Sequence, residues 1–430
     1  MSELDIDKII SYGEKSADEV EVFTLDYSDI SVEQREMAIS SVFEHEGNSV
    51  YVRVVKDNHI GVSGTSDITR WKDCVDVALS SAKLSESVPG WTGFPAKAVL
   101  PEGKDPIDKN ISVTPDLAAE YLERMNNGAA KHPEARVVSA EVSLSTGISR
   151  IVNSNGVDYT RHLSGISLGM DAICDNSTGY DYDSSPFLKR VDPEKIGEQT
   201  SFWASASRNG VDVETKKYDV VFSEQVTASL ILGLFSEAVN GKNVLTGKSV
   251  YAGHLGEEML HPSVSITDVP MDKEGSAWKR FDTEGTPTSD LHLVQDGVLS
   301  SFMYDAKTAS QAKTVSTGNA LRGGNGATYI EPHCLRISAP ITDVMDKPGL
   351  YVREVIGAHT ANSLTGEFSV EVANAFFAES GKFIKPVKKA MISGNVFDIL
   401  RGAVSISAET KTFDNAVIPK MRITGMQVIG

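Results

Sequence analysis

Ser49-Val50-Tyr51-Val52-Arg53-Val54-Val55 places valines at every second position, and Lys56-Asp57-Asn58-His59 and Ile60-Gly61-Val62-Ser63 follow it. A period of two interrupted by polar turn residues predicts a β-hairpin with one apolar face. Ser66-Asp67 then caps a helix running to about Leu84, with Trp71, Cys74, Val75, Ala78 and Leu79 along its apolar stripe. Upstream, residues 19–48 keep a strand-like alternation, and Ile6, Ile9 and Ile10 mark a short helix over residues 5–16.

The same order recurs further on. Residues 87–113 hold four prolines and three glycines and read as a long loop. Thr114-Pro115 opens a helix to about Ala130, since proline suits the first helical position. Strands are expected over 135–175, with Asn153-Ser154-Asn155-Gly156 as a turn. Residues 176–190 are polar and rich in Gly and Asp, which predicts an irregular, mobile segment; a helix from Pro193 to Arg208 follows. Two hairpin-then-helix passages predict an α+β domain of hairpins and helices, laid out as a duplication, over residues 1–215. Tyr218–Phe222 opens the second half as a strand. Ser223 caps a helix through Val239, and Asn240-Gly241 stops it. Val226, Leu230, Leu234 and Ala238 make that helix apolar enough to be buried. Short strands with Gly, Asn and Asp turns fill the rest, so a β-rich, barrel-like domain is expected over 216–430.

A chain of 430 residues exceeds one ordinary core, which agrees with two domains. The net charge of -18 is hostile to nucleic-acid phosphates. No apolar run of about 18 residues is present, so no transmembrane helix is expected. The acidic start Met1-Ser2-Glu3-Leu4-Asp5 has no apolar core of a secretion signal and points to the cytoplasm. Cys74, Cys174 and Cys334 lie far apart without CxxC spacing; they are expected as small buried apolar residues.

Familiar chemistry is scarce. A zinc peptidase helix carries two histidines with a glutamate beside the first, two to hold the metal and one to take a proton from its water. The sole His-Glu pair, His45-Glu46, has no second histidine in reach and is expected just ahead of a strand. His254, Glu257, Glu258 and His261 would share a face on a helix. Gly256 and Pro262 oppose that helix, and a surface connection is the simpler reading. His333-Cys334 follow Pro332 on an expected strand, where neighbours point apart. Leu321-Arg322-Gly323-Gly324-Asn325-Gly326 reads as a flexible glycine-rich loop. His359, in Gly357-Ala358-His359-Thr360, is a candidate substrate contact or an ordinary surface histidine.

Five passages carry a resemblance. Phe281-Asp282-Thr283-Glu284-Gly285-Thr286-Pro287-Thr288 is similar to the D-x-E-G-x-P-T element of the TldD/PmbA family. Asp296-Gly297-Val298-Leu299 with Phe302–Asp305 and Ala309, and Ser316-Thr317-Gly318-Asn319-Ala320 with Arg322, resemble two more of its passages. Thr365-Gly366-Glu367-Phe368-Ser369 and Ile392-Ser393-Gly394-Asn395 resemble T-G-D-F-S and I-A-G-N. All occur in the family's order.

The TldD branch carries H-E-x-x-x-H and zinc on the helix matching residues 223–239. Here Gly233, Leu234 and Ala238 fall near those positions, the helix has no histidine, and no cysteine follows Cys334. The resemblance therefore implies the TldE (PmbA) branch. It implies no metal or catalytic residue in this chain, zinc in a TldD-type partner subunit, and an unfolded or short peptide as substrate, including leader peptides. Thr317, Gly318, Asn319, His359, Thr365 and Gly366 become candidate peptide contacts. Two rival readings stay open: a homodimeric peptide-binding protein, and an independent hydrolase using His254, Glu258 and His261.

Overall fold

A computed structural model describes residues 4–276, 278–413 and 415–430. The first three residues of the acidic start lie outside them. Six antiparallel strands form the N-terminal sheet: β1 (Glu19–Arg35), β2 (Ala38–Lys56), β3 (His59–Thr65), β4 (Arg136–Asn153), β5 (Asp158–Cys174) and β6 (Ser177–Ser185). Their order is β3-β2-β1-β4-β5-β6. Helices α1 (Ile6–Gly13), α2 (Trp71–Leu84), α3 (Pro115–Ala129) and α4 (Pro193–Ala206) complete it. The unit α-β-β-β-α thus occurs twice, and the two copies join where β1 pairs with β4.

The repeat extends to backbone detail. A Cβ added to Gly61 on β3 would sit 2.0 Å from Ala78 O of α2; one added to Gly179 on β6 would sit 2.1 Å from Thr200 O of α4. In both copies a glycine lets the helix backbone lie directly on the third strand. The β2–β3 turn is the expected one: Asp57 and Asn58 have φ +51° and +63°, as a two-residue hairpin turn of matching twist requires. Val50, Val52 and Val54 are fully buried and pack with Cys74, Val75 and Ala78 of α2. Each such side chain contributes about 1.5–3 kcal/mol through its burial. All three cysteines are buried.

The C-terminal sheet has eleven strands. Strand β7 (Lys216–Phe222) runs parallel to Gly349–Ile356, which pairs antiparallel with Glu367–Glu379. Met391–Asn395 and Ala416–Ile429 follow, and the last returns to β7, closing a five-stranded barrel. The fold is therefore α+β with a barrel in its second half, as the sequence predicts. No helix among the described residues is long and apolar enough to cross a membrane.

Three local expectations fail for identifiable reasons, and a fourth is extended. Residues 177–185 form strand β6 rather than an irregular segment. Its inward positions include Gly179, pressed on α4, and Asp181, which pairs with Arg353, so the strand has no apolar period to read. His45-Glu46 lies inside β2, because β1 and β2 extend as one long hairpin past the core with Met37, Ile39, Val42 and Phe43 exposed. The glycine-rich loop at 321–326 is partly ordered as a hairpin: Ala320–Arg322 pairs with Thr328–Ile330, and Gly326 turns with φ +81°. Asn240 does more than stop a helix; its side chain caps the next one, Gly241–Leu245.

Candidate functional site

The central helix follows β7 directly. Ser223 Oγ accepts from Val226 N at 3.2 Å and donates to Arg353 O at 2.7 Å, so the cap also ties the helix to the barrel. The helix then changes pitch. Glu224–Val226 is α-helical, Thr227–Leu232 is π-helical and Gly233–Ala238 is α-helical again. A π segment adds a residue to a turn and shifts every later side chain around the axis.

One face of this helix sinks into the main core through Val226, Leu230, Ile231, Phe235 and Ala238. The other face, with Ser229, Gly233, Ser236 and Glu237, lines a cavity of about 500 Å³ closed by Ile330–Pro332 and by Phe413, Asn415 and Ala416. Of the three positions matched to the metal motif, Gly233 faces the cavity while Leu234 and Ala238 are buried in the apolar core. A Cβ at Gly233 would touch only Ala228 O, at 3.7 Å. The hydroxyls here bond to backbone carbonyls, Ser229 to Gln225 O and Ser236 to Gly233 O. Glu237 Oε2 accepts from Asn243 Nδ2 at 2.8 Å.

Small, apolar and hydroxyl side chains with two carboxylates, Glu237 and Glu331, do not match the nitrogen and sulfur donor set of a zinc site. Among the described residues, no group of three or more His, Cys, Asp and Glu side chains is placed to hold a metal. The 254–261 segment is a series of turns rather than a helix, so its four side chains do not share a face. His254 Nδ1 bonds Glu257 Oε2 at 2.8 Å, and His261 pairs with Ser263.

The candidate contacts divide into two groups, and none of the six lines this cavity. Asn319 is buried; its Nδ2 donates to Asp268 Oδ2 at 2.7 Å, and its Oδ1 accepts from Thr317 Oγ1 at 2.7 Å. His333 Nε2 bonds Gly318 O at 2.5 Å. Burial, with the charges of Lys279 and Arg161 nearby, holds the His333 imidazole well below its ordinary pKa. Desolvation and the Arg161 charge bring the Lys279 ammonium down to about 8. Thr317, Gly318 and Asn319 thus form a braced turn. His359 and Thr365 are exposed on the other group's loop; Gly366 is buried against Phe397, with φ +78°.

Sequence reasoning missed the densest charge cluster. Arg53 of β2 donates from Nη1 to Glu284 Oε1 at 2.7 Å and from Nη2 to Glu21 Oε2 at 2.9 Å. Arg322 Nη2 donates to Glu21 Oε1 at 2.5 Å, and Ala306 N to Glu284 Oε2 at 2.8 Å. Both arginines lie over rings, Phe94 and Phe23. Asp282 holds the turn that aims Glu284: its carboxylate accepts from the amides of Glu284, Thr286 and Ala320. Burial and the Glu284 charge raise its pKa far above the usual range. The D-x-E-G passage therefore joins the N-terminal sheet to the Ala320–Arg322 strand and to the helix start at Ala306. A charged residue in an alternating strand was the only available signal, and it reads as solvent-facing.

Comparison with known proteins places this architecture. Family profiles described as PmbA/TldA metallopeptidase domain 1, central domain and C-terminal domain match residues 20–82, 108–208 and 215–430. An uncharacterized protein of Methanocaldococcus jannaschii is 28% identical, covering 94% of this chain and 95% of its own. A metalloprotease PmbA homolog of Haemophilus influenzae is 25% identical over 97% of this chain and 94% of its own. The crystal structure of TldE from Thermococcus kodakarensis superposes with a TM-score of 0.89 at 23% identity, covering 99% of this chain and all of that one; at that identity the likeness speaks for the fold. With all three profiles matched in order and relatives aligned nearly end to end, the chain belongs to the PmbA/TldD metallopeptidase family.

Proposed function

We propose that this chain is the TldE-like, non-catalytic subunit of a heterodimeric zinc metalloprotease. Its partner is a TldD-type chain that carries the metal, and its substrates are unfolded or short peptides, leader peptides among them. It works in the cytoplasm, with residues 1–215 and 216–430 as its two domains. One observation carries the reading: the helix matching the family's metal motif turns Ser229, Gly233, Ser236 and Glu237 to the cavity, and offers no histidine or cysteine. Such a helix can shape a groove for a polypeptide but cannot activate a water through zinc. Outside the closed barrel, a strand such as Lys382–Pro386, paired with Glu367–Glu379 alone among the described strands, offers an edge on which an extended peptide can pair.

The test is reconstitution. Peptidase activity of a TldD-type partner is measured on an unfolded polypeptide with and without this chain, and metal is quantified in each purified subunit. Activity is expected to need both chains, with zinc in the partner alone. Unchanged activity without this chain, or stoichiometric zinc within it, overturns the reading. A mass measurement showing a self-paired species that ignores the partner favours the homodimeric peptide binder instead.

A further inference from the structure

A larger cavity, about 860 Å³, opens where β6 and α4 face the C-terminal sheet. One wall is aromatic. Trp203 stacks on Tyr351 with centroids 6.2 Å apart, and Phe383 lies 5.5 Å from Trp203 and 5.1 Å from Tyr351. The polar wall centres on Asp181, whose Oδ1 takes Arg353 Nη2 at 3.0 Å and Lys411 Nζ at 3.2 Å. Two buried polar atoms on this lining have no hydrogen-bond partner within the protein: Asp181 Oδ2, an acceptor, and Trp203 Nε1, a donor. Their side chains belong to residues only 3% and 8% exposed. Arg353 links them, paired with Asp181 and 5.5 Å from the Trp203 ring.

An unmet buried donor or acceptor costs about 1–3 kcal/mol, and these two are set apart from other unmet atoms of the chain by lying on one cavity. The lining carries six acidic and six basic residues, which favours neither an anion nor a cation. A neutral group that donates and accepts side by side, flanked by an apolar body, suits it best; that is an amide beside a bulky side chain. Strand β6 is the edge of its sheet, and Phe413 lines both this cavity and the one beside the central helix. A chain held in one is therefore within reach of the other.

We propose that this cavity binds an uncharged, extended peptide segment bearing a bulky apolar side chain. A main-chain N–H of the peptide donates to Asp181 Oδ2, a carbonyl accepts from Trp203 Nε1, and the side chain rests on Phe383 and Tyr351. The choice of a peptide over another amide rests on the function proposed above; the pocket chemistry does not.

The test is a fluorescence anisotropy titration of the full chain, without any partner. The probe is a fluorescein-labelled octapeptide of alanine and serine with one central phenylalanine, compared with the same peptide carrying serine there. The phenylalanine peptide should bind about tenfold tighter or more. Phe383→Ser, at a position 40% exposed and therefore safe for folding, and Trp203→Phe, which keeps a ring but removes the N–H, should each weaken it about three- to tenfold. Phe43→Ser, at the distant exposed hairpin tip, should leave binding unchanged. Absence of saturable binding, or binding indifferent to both Phe383→Ser and Trp203→Phe, overturns the proposal. So does competition by N-acetylphenylalanine amide as effective as that of the peptide, which would make the pocket a small-amide site. Binding that persists while reconstituted peptidase activity ignores this chain would sink the subunit reading and leave the pocket standing.

Discussion

The N-terminal sheet meets the second half of the chain through two buried charge clusters that differ in how their carboxylates are met. At the first, Glu21, Arg53, Glu284 and Arg322, every carboxylate oxygen of the two glutamates has a donor. At the second, Asp181, Arg353 and Lys411, one carboxylate oxygen and a neighbouring indole N–H have none, and a cavity lies beside them. Burial of charge is expensive unless all lone pairs are met. The first cluster has its carboxylates fully met, with only arginine N–H groups such as Arg322 Nε lacking a hydrogen-bond partner, and is thus a joint that ties β1 and β2 to the Glu284 turn and the Ala320–Arg322 strand. The second is left incomplete, which is what a binding surface needs.

The contrast is open to direct attack. Arg53→Met should have the largest effect, because it strands two buried carboxylates; a loss of about 3–5 kcal/mol in urea unfolding is expected. Asp181→Asn should cost less, about 1–2 kcal/mol. Arg353 keeps Gln225 Oε1 at 2.5 Å and the Trp203 ring, and one Asp181 oxygen was unmet from the start. If the two losses are equal, the distinction between closed and open clusters fails.

A smaller effect reads a buried group outside both clusters, His333, through pH. The His333 pKa is depressed in the folded chain, so below its unfolded value of about 6.5 the unfolded state binds the extra proton. Stability should therefore be level above that pH and fall as pH drops through it, by at most about 1.4 kcal/mol per pH unit. Comparing melting temperatures of the parent and His333→Gln at pH 7.5 and 5.5 isolates this term: the substitution should flatten the fall. The smallest effect has the opposite sign. Gly233→Ala, on ordinary helical backbone with only Ala228 O in range, should stabilise by about 0.5–1 kcal/mol. A loss there would mean that the cavity face of the central helix does not tolerate a methyl group.

Much of this was legible in advance and some was not. The β2–β3 hairpin, the helix on it and the barrel-like second half followed from valines at 50, 52 and 54, from Asp57-Asn58 and from the short strands. Those signals are local: a period, a turn, a cap. Strand β6 escaped because its inward residues are a glycine and an aspartate chosen by a helix and an arginine that come later in the chain. Glu21 and Arg53 escaped because a charge on an alternating strand looks exposed until its partners, 231 residues or more away for Glu284 and Arg322, are folded onto it.

The missing metal ligands on the central helix needed no coordinates, since side-chain identity alone decides whether zinc can be held. Which face of that helix meets a cavity is a different matter. A π turn at 227–232 rotates the residues after it, so Gly233 reaches the cavity and Leu234 the core. Sequence by itself determined the periods, the caps and the absent donors, because these depend on neighbours along the chain. Only the tertiary structure decided which charges pair and which polar atoms stay unmet, because those depend on distances closed between segments far apart in the chain.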